Sequence, residues 1–208
     1  MDVEDVWRHI HQQRRELAGV LRALDSATWD APSACAGWTV RDVAAHVIHS
    51  PQYRWRDFVA MMVRARFDLN RAILVDGQRL GTAPPADILD QFERWDGSRS
   101  VPPTTTPLEP LIDVLVHTQD VVRPIGREHP MPVDAARAAT ERVLAKRQKV
   151  FAPHRLDAVR VVATDTDWSR GSGPEVRAPM QEILLLATGR GCDRRLLEGD
   201  GSPLVLTA

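Results

Sequence analysis

Asp113 and His117 stand four residues apart in DVLVHTQD, so in a helix they lie one above the other, with Asp120 close to the same face. Leu108, Leu111, Ile112, Leu115 and Val122 take the opposite side. A carboxylate and an imidazole are both ligands for a zinc-like ion, and two ligands on one helical turn lower the entropy cost of assembling a site. The same pair also reads as a polar stripe facing water. A metal site needs a third donor from another element, and His9, His11, His46 and His49 are the helical candidates. His46, in DVAAHVIHS, falls beside the face shared by Val43 and Val47, where it reads as a ligand or as a core histidine bonded to a carbonyl. His49 projects elsewhere, and His9, next to Arg8, falls near the exposed side of its helix. His129 and His154 lie in loops beside prolines and are expected to face solvent.

Other chemistries lack their residues. SRGSG has no lysine and serine or threonine continuation of a phosphate loop, and neither HExxH nor GxSxG occurs. Cys35 has no base near it in sequence and reads as a small buried hydrophobe beside Trp38. Cys35 and Cys192 are the two cysteines, too few and too distant for a disulfide scaffold or a cysteine-rich zinc module. With 27 basic and 28 acidic residues, the chain has no nucleic-acid footprint and no polybasic membrane anchor. The start, MDVEDVWRHI, is acidic and amphipathic, unlike a signal peptide. No uncharged apolar run reaches the ~20 residues that span a bilayer. These features together predict a cytoplasmic protein with no nucleic-acid and no membrane partner.

The elements that must position the polar residues follow from periodicity. Residues 3–24 read as a helix, with Val6, Ile10, Leu17, Leu21 and Leu24 along one face. DSATWDAPSACAGW reads as a loop. Thr39 caps the next helix with Asp42 as its partner, and Pro51 kinks or interrupts it before the pattern resumes at Trp55. RAILVDGQRLGTAPP reads as a connector with a short apolar piece. Further helices are expected over residues 86–95, 108–122 and 134–150. After Pro153 the texture changes. LDAVRVVATDTDW reads as a strand, SRGSG as a turn, PEVRAP as a second strand, MQEILLLATGR as a short helix, and the end of the chain as a final apolar strand. The fold class expected is α+β, with a helical domain over 1–152 and a small α/β domain over 153–208.

Two segments carry a resemblance. CAGWTVRDVAAHVIHS (35–50) and LIDVLVHTQDVVRPIG (111–126) resemble the two signatures of the mycothiol-dependent maleylpyruvate isomerase family, in the DinB-like four-helix superfamily. TDTDWSRGSGPEVRAPMQEILLLATGR resembles the small domain that follows the bundle there. The resemblance implies an up-down four-helix bundle with an additional helix, then the α/β domain. It implies a divalent metal, zinc by preference, on His46, Asp113 and His117, with mycothiol as a thiol cosubstrate and a small electrophile as substrate. The reaction implied is isomerisation or S-transfer. Asp120 would support a ligand histidine, Arg190 would hold a substrate carboxylate, and Trp38 would wall the pocket. The family usually carries glutamate where this chain has Asp113, which sets the carboxylate back by one methylene. A non-catalytic metal- or ligand-binding bundle and a metal-dependent hydrolase are the alternatives, and the chain is expected to be a monomer or homodimer.

Overall fold

The computed structural model describes residues 1–147 and 151–206. It divides into two compact units, Met1–His129 and Pro130–Ala208. The first holds helices α1 (Val3–Arg22), α2 (Ser26–Trp29), α3 (Val40–His49), α4 (Trp55–Arg64), α5 (Leu69–Leu80), α6 (Pro85–Arg94) and α7 (Leu108–Val122). The second holds α8 (Val133–Lys146), β1 (Arg160–Ala163), β2 (Ser169–Gly171), β3 (Glu175–Ala178), α9 (Met180–Ala187) and α10 (Ser202–Leu206). This is an α+β architecture, a helical bundle in the first unit and a small three-stranded sheet with helices in the second.

In the first unit α1 and α3 each pack on α6 and α7, and α5 packs on α3. Leu17, Leu21, Val43, Val47, Ile88 and Val114 share one core with Trp29 and Trp38. The start of α3 is fixed as its sequence implies. Thr39 N–H donates to Asp42 Oδ2 at 2.8 Å, and Asp42 N–H donates back to Thr39 Oγ1 at 3.2 Å. Its end is set by Pro51, which removes a backbone donor, so a 3-10 turn over Ser50–Gln52 separates α3 from α4.

The segment expected as a connector, RAILVDGQRLGTAPP, is mostly helix. Asp68 caps α5 by accepting from Arg71 N–H at 3.0 Å. The residues that made it look like a connector have tertiary partners. Buried Asp76 accepts from the Tyr53 hydroxyl and from Arg79 Nε. Gly77 leaves the space that the Trp38 ring fills, since a Cβ there would lie 2.2 Å from Trp38 Cζ2.

The second unit differs from expectation in three places. α8 packs on α9, so the helix expected at 134–150 groups with the C-terminal strands and the division falls at residue 129/130 rather than 152/153. Alanines at 135, 136 and 139 give α8 a buried face that lets a neighbouring helix approach closely. Residues 148–150 of that expected helix lie outside the described residues. The predicted SRGSG turn contributes β2, which pairs antiparallel with β1, while β3 pairs parallel with β1 at Val161↔Val176. The predicted final strand is instead α10, as far as Leu206. Glu198 already bridges Arg177 of β3, and Gly199, at φ 94°, turns the chain off the sheet edge. Val205 is buried on that short helix.

Candidate metal centre

α3 and α7 pack together and carry the central residues. His46 Nε2 lies 3.1 Å from Asp113 Oδ1, and His117 Nε2 lies 3.4 Å from the same oxygen. Donor atoms of the three side chains all fall within 4.8 Å of one another. Adjacent ligands around a tetrahedral zinc, at bond lengths of about 2.0–2.1 Å, stand about 3.3 Å apart. The shorter carboxylate of Asp113 therefore still approaches both imidazoles within ligand spacing.

The other ring nitrogen of His117 is engaged. Nδ1 lies 2.8 Å from Asp120 Oδ2, and Asp120 is 1% exposed. A neutral His117 donating from Nδ1 to Asp120 presents its Nε2 lone pair to Asp113 Oδ1. A lone pair facing a carboxylate oxygen is repulsive unless a cation lies between them, so the donor set fits a metal ion. Burial alone would push the Asp113 carboxyl up. The charge and hydrogen bond of His46, then His117 and Arg14, outweigh it and hold the carboxyl at about 2. Asp113 is thus an anion across the neutral pH range.

Trp38 closes one side. Its ring centroid lies 4.8 Å from that of His46 and 5.5 Å from that of His117. Trp38 Nε1 donates to the Leu74 carbonyl at 3.0 Å, which ties the wall to α5. The loop before α3 is fastened to α7 by Ala34 N–H donating to the Asp120 carbonyl at 2.9 Å.

That fastening brings in a residue the sequence did not connect to the site. Cys35, half-buried, forms a second donor group with His117 and Asp120, again within 4.8 Å. Cys35 also packs against the core, as expected of a small apolar side chain. The signal that could have linked it is its place in the short loop that delivers Trp38. Arg14 was missed as well. It is 4% exposed on α1, and its charge and that of Asp113 attract each other. A basic residue one turn after Ile10 and three before Leu17, inside the apolar face, was its signal.

The other histidines do not join the set. His11 Nε2 lies 3.2 Å from the Ser98 carbonyl. His9, expected near the exposed side, is 4% exposed, because α1 is covered on that flank as well. His129, expected in solvent, is largely buried against Gln13 and Glu16. His49 lines a cavity of about 580 Å³ with Tyr53, Arg54, Arg64, Asp76 and Arg79, and none of His46, Asp113 and His117 belongs to its wall. Arg190 follows α9 in the second unit, where its Nη1 donates to the Thr188 carbonyl at 2.9 Å.

Residues 10–94 match the family model described as the mycothiol maleylpyruvate isomerase N-terminal domain. The crystal structure of the mycothiol-dependent maleylpyruvate isomerase matches with a TM-score of 0.64, over 97% of this chain and 94% of that one, at 15% identity. That likeness is one of fold. A histidine-to-alanine mutant of the same isomerase matches similarly, with a TM-score of 0.63 and 14% identity, over 97% of this chain and 94% of that one. Comparison with curated proteins finds no sequence match. Among the described residues no helix is long and apolar enough to cross a membrane.

Proposed function

We propose that His46, Asp113 and His117 hold a divalent metal, zinc by donor chemistry, in an enzyme that uses a low-molecular-weight thiol, mycothiol, on a small electrophile. The observation that carries this reading is the convergence of two imidazoles and one ionised carboxylate from α3 and α7, with Asp120 behind one imidazole. Three protein ligands leave coordination positions open, as in a catalytic site. When bound, the metal supplies Lewis acidity that favours the thiolate over the thiol.

The chain's own residues supply the rest. Asp120 fixes the His117 ring with Nε2 toward the site. Asp113 contributes the negative charge that favours a cation there. Trp38 excludes water from one side of both imidazoles. Addition of the thiolate to a conjugated double bond, rotation about the resulting single bond and elimination would give isomerisation. Addition without elimination would give S-transfer. A cytoplasmic monomer or homodimer fits this use of an intracellular thiol.

Elemental analysis of the purified protein is expected to find about one equivalent of zinc or a similar ion. His46→Ala and His117→Ala are each expected to lose it, and unchanged metal content in both would overturn the ligand set. Conversion of an electrophile is expected to require mycothiol and to vanish in both variants. Activity that needs metal but no thiol would favour a hydrolase, and metal with neither thiol nor substrate binding would favour a non-catalytic bundle.

A further inference from the structure

The cavity of about 580 Å³ in the first unit holds charge that the metal centre does not use. Its wall runs from His49 at the end of α3 along α4 to Arg79 on α5, and all of it lies between residues 49 and 100. Arg54, Arg56, Arg64 and Arg79 line it, against two carboxylates, Asp57 and Asp76. Both carboxylates are committed. Asp76, 5% exposed, accepts from the Tyr53 hydroxyl and from Arg79 Nε at 2.9 Å. Asp57 Oδ2 accepts from Arg54 N–H at 3.2 Å, and Asp57 Oδ1 lies 3.6 Å from Arg56 Nε. Among the described residues, the side chains of Arg54 and Arg64 form no ion pair with a carboxylate. Burial disfavours the charged form of His49, so the imidazole adds little charge at neutral pH. The wall is left with two more positive than negative charges.

These arginines surround open space. Arg56, Ala60 and Arg64 follow at four-residue spacing, so they form one row along α4. The two arginines stand about 12 Å apart along the helix axis, and the small alanine between them keeps the middle of the row open. Like charges facing one space repel, and an anion placed among them removes that cost. A carboxylate brings one charge, in a plane that a single guanidinium fork satisfies. A phosphate monoester brings about −1.5 to −2 at neutral pH on three acceptor oxygens, which suits donors arriving from two helices. Small-molecule sites span about 300–1,000 Å³, so the cavity has room for the organic group that carries the phosphate, with the half-buried Trp95 as part of its wall.

We infer that this cavity is a second ligand site, in which Arg54, Arg56 and Arg64 hold the phosphate of a small phosphate monoester. None of His46, Asp113 and His117 belongs to its wall, so the site stands whether or not the metal reading does.

The test is calorimetric titration with phenyl phosphate, and with benzoate as a monoanion of similar shape. Phenyl phosphate is expected to bind the wild type at least about tenfold more tightly than benzoate. Arg54→Gln and Arg64→Gln are each expected to weaken it about tenfold. Both residues are exposed, so neither change threatens the fold. Arg66→Gln removes an exposed arginine outside the wall and should leave the affinity unchanged. The His49 imidazole resonance, assigned from its loss in His49→Gln, should move with the same saturation curve. Binding should survive His46→Ala. No binding to the wild type, equal affinity for benzoate, an Arg66→Gln loss as large as that of Arg64→Gln, or an unmoved His49 resonance would each overturn the inference. Loss of binding in His46→Ala would place the phosphate on the metal centre and overturn it as well.

Discussion

Gly19 and Gly77 both sit inside helices, yet the same change to alanine is expected to have opposite signs at the two. At Gly19, on the exposed side of α1, an added Cβ meets nothing within 4 Å. The helix then gains only the propensity difference, roughly 1 kcal/mol. At Gly77 the added Cβ falls 2.2 Å from Trp38 Cζ2, 2.4 Å from Cε2 and 2.8 Å from Nε1. Carbon atoms settle at about 3.5–4.0 Å, so about 1.3–1.8 Å must be found. Trp38 cannot yield easily. It is 4% exposed and held by its bond to the Leu74 carbonyl, which lies one turn earlier on the same helix as Gly77. Overpacking of this kind costs about 1–3 kcal/mol, and a strained or lost indole hydrogen bond adds roughly 1 kcal/mol. Alanine's helix propensity offsets roughly 1 kcal/mol of that. The net expectation is that Gly77→Ala destabilises by about 1–3 kcal/mol while Gly19→Ala stabilises. Urea unfolding followed by far-ultraviolet circular dichroism measures both. A Gly77→Ala midpoint equal to or above that of the wild type would refute the packing argument. Because the Trp38 ring abuts both His46 and His117, Gly77→Ala should also weaken metal binding, and Gly19→Ala should not.

Asp120→Asn keeps the shape that faces His117 Nδ1 and removes the charge behind it, so zinc affinity is expected to fall about 10–100-fold by competition with a chromophoric chelator. Unchanged affinity would mean that Asp120 serves only to anchor the loop through its carbonyl. His49 is expected to titrate below 6.5, because burial disfavours its charged form and, with Arg79 and His46, outweighs the pull of Asp76 and Asp57. The folded state binds this proton less readily than the unfolded chain, so stability declines as pH falls through 6.5 toward the lower folded value. Proton magnetic resonance of the imidazole signals gives the midpoint directly, and a value at or above 6.5 would contradict the burial seen around His49.

The main helices of the bundle were legible because their signals are local. Thr39 and Asp42 cap α3, Pro51 ends it, and the apolar period marks α1, α6 and α7. α5 was not legible, since Asp76 and Gly77 are unfavourable to a helix on their own and are explained only by Tyr53, Arg79 and Trp38. Residues far apart in sequence supply those reasons. The division between units escaped for the same cause. The alanine-rich face of α8 says that something packs closely there, but not that it is α9. The end of the chain was apolar enough for a strand, and only the bridge from Glu198 to Arg177 shows that the sheet edge had been taken.

For the candidate site, sequence alone determined which residue types exist and that Asp113 and His117 share one face, because helical geometry fixes the spacing of residues four apart. It also held a cation inside the apolar stripe of α1, as a pattern without an explanation. Tertiary structure decided the rest: that His46 comes to within 3.1 Å of Asp113, that Asp120 turns to the far nitrogen of His117, and that Arg14 is buried with Nε and Nη1 unmatched among the described residues. Helical period fixes direction within one element. The distance between elements is set by side chains packed across the core, here Trp38 in the space left by Gly77, and no single helix encodes it.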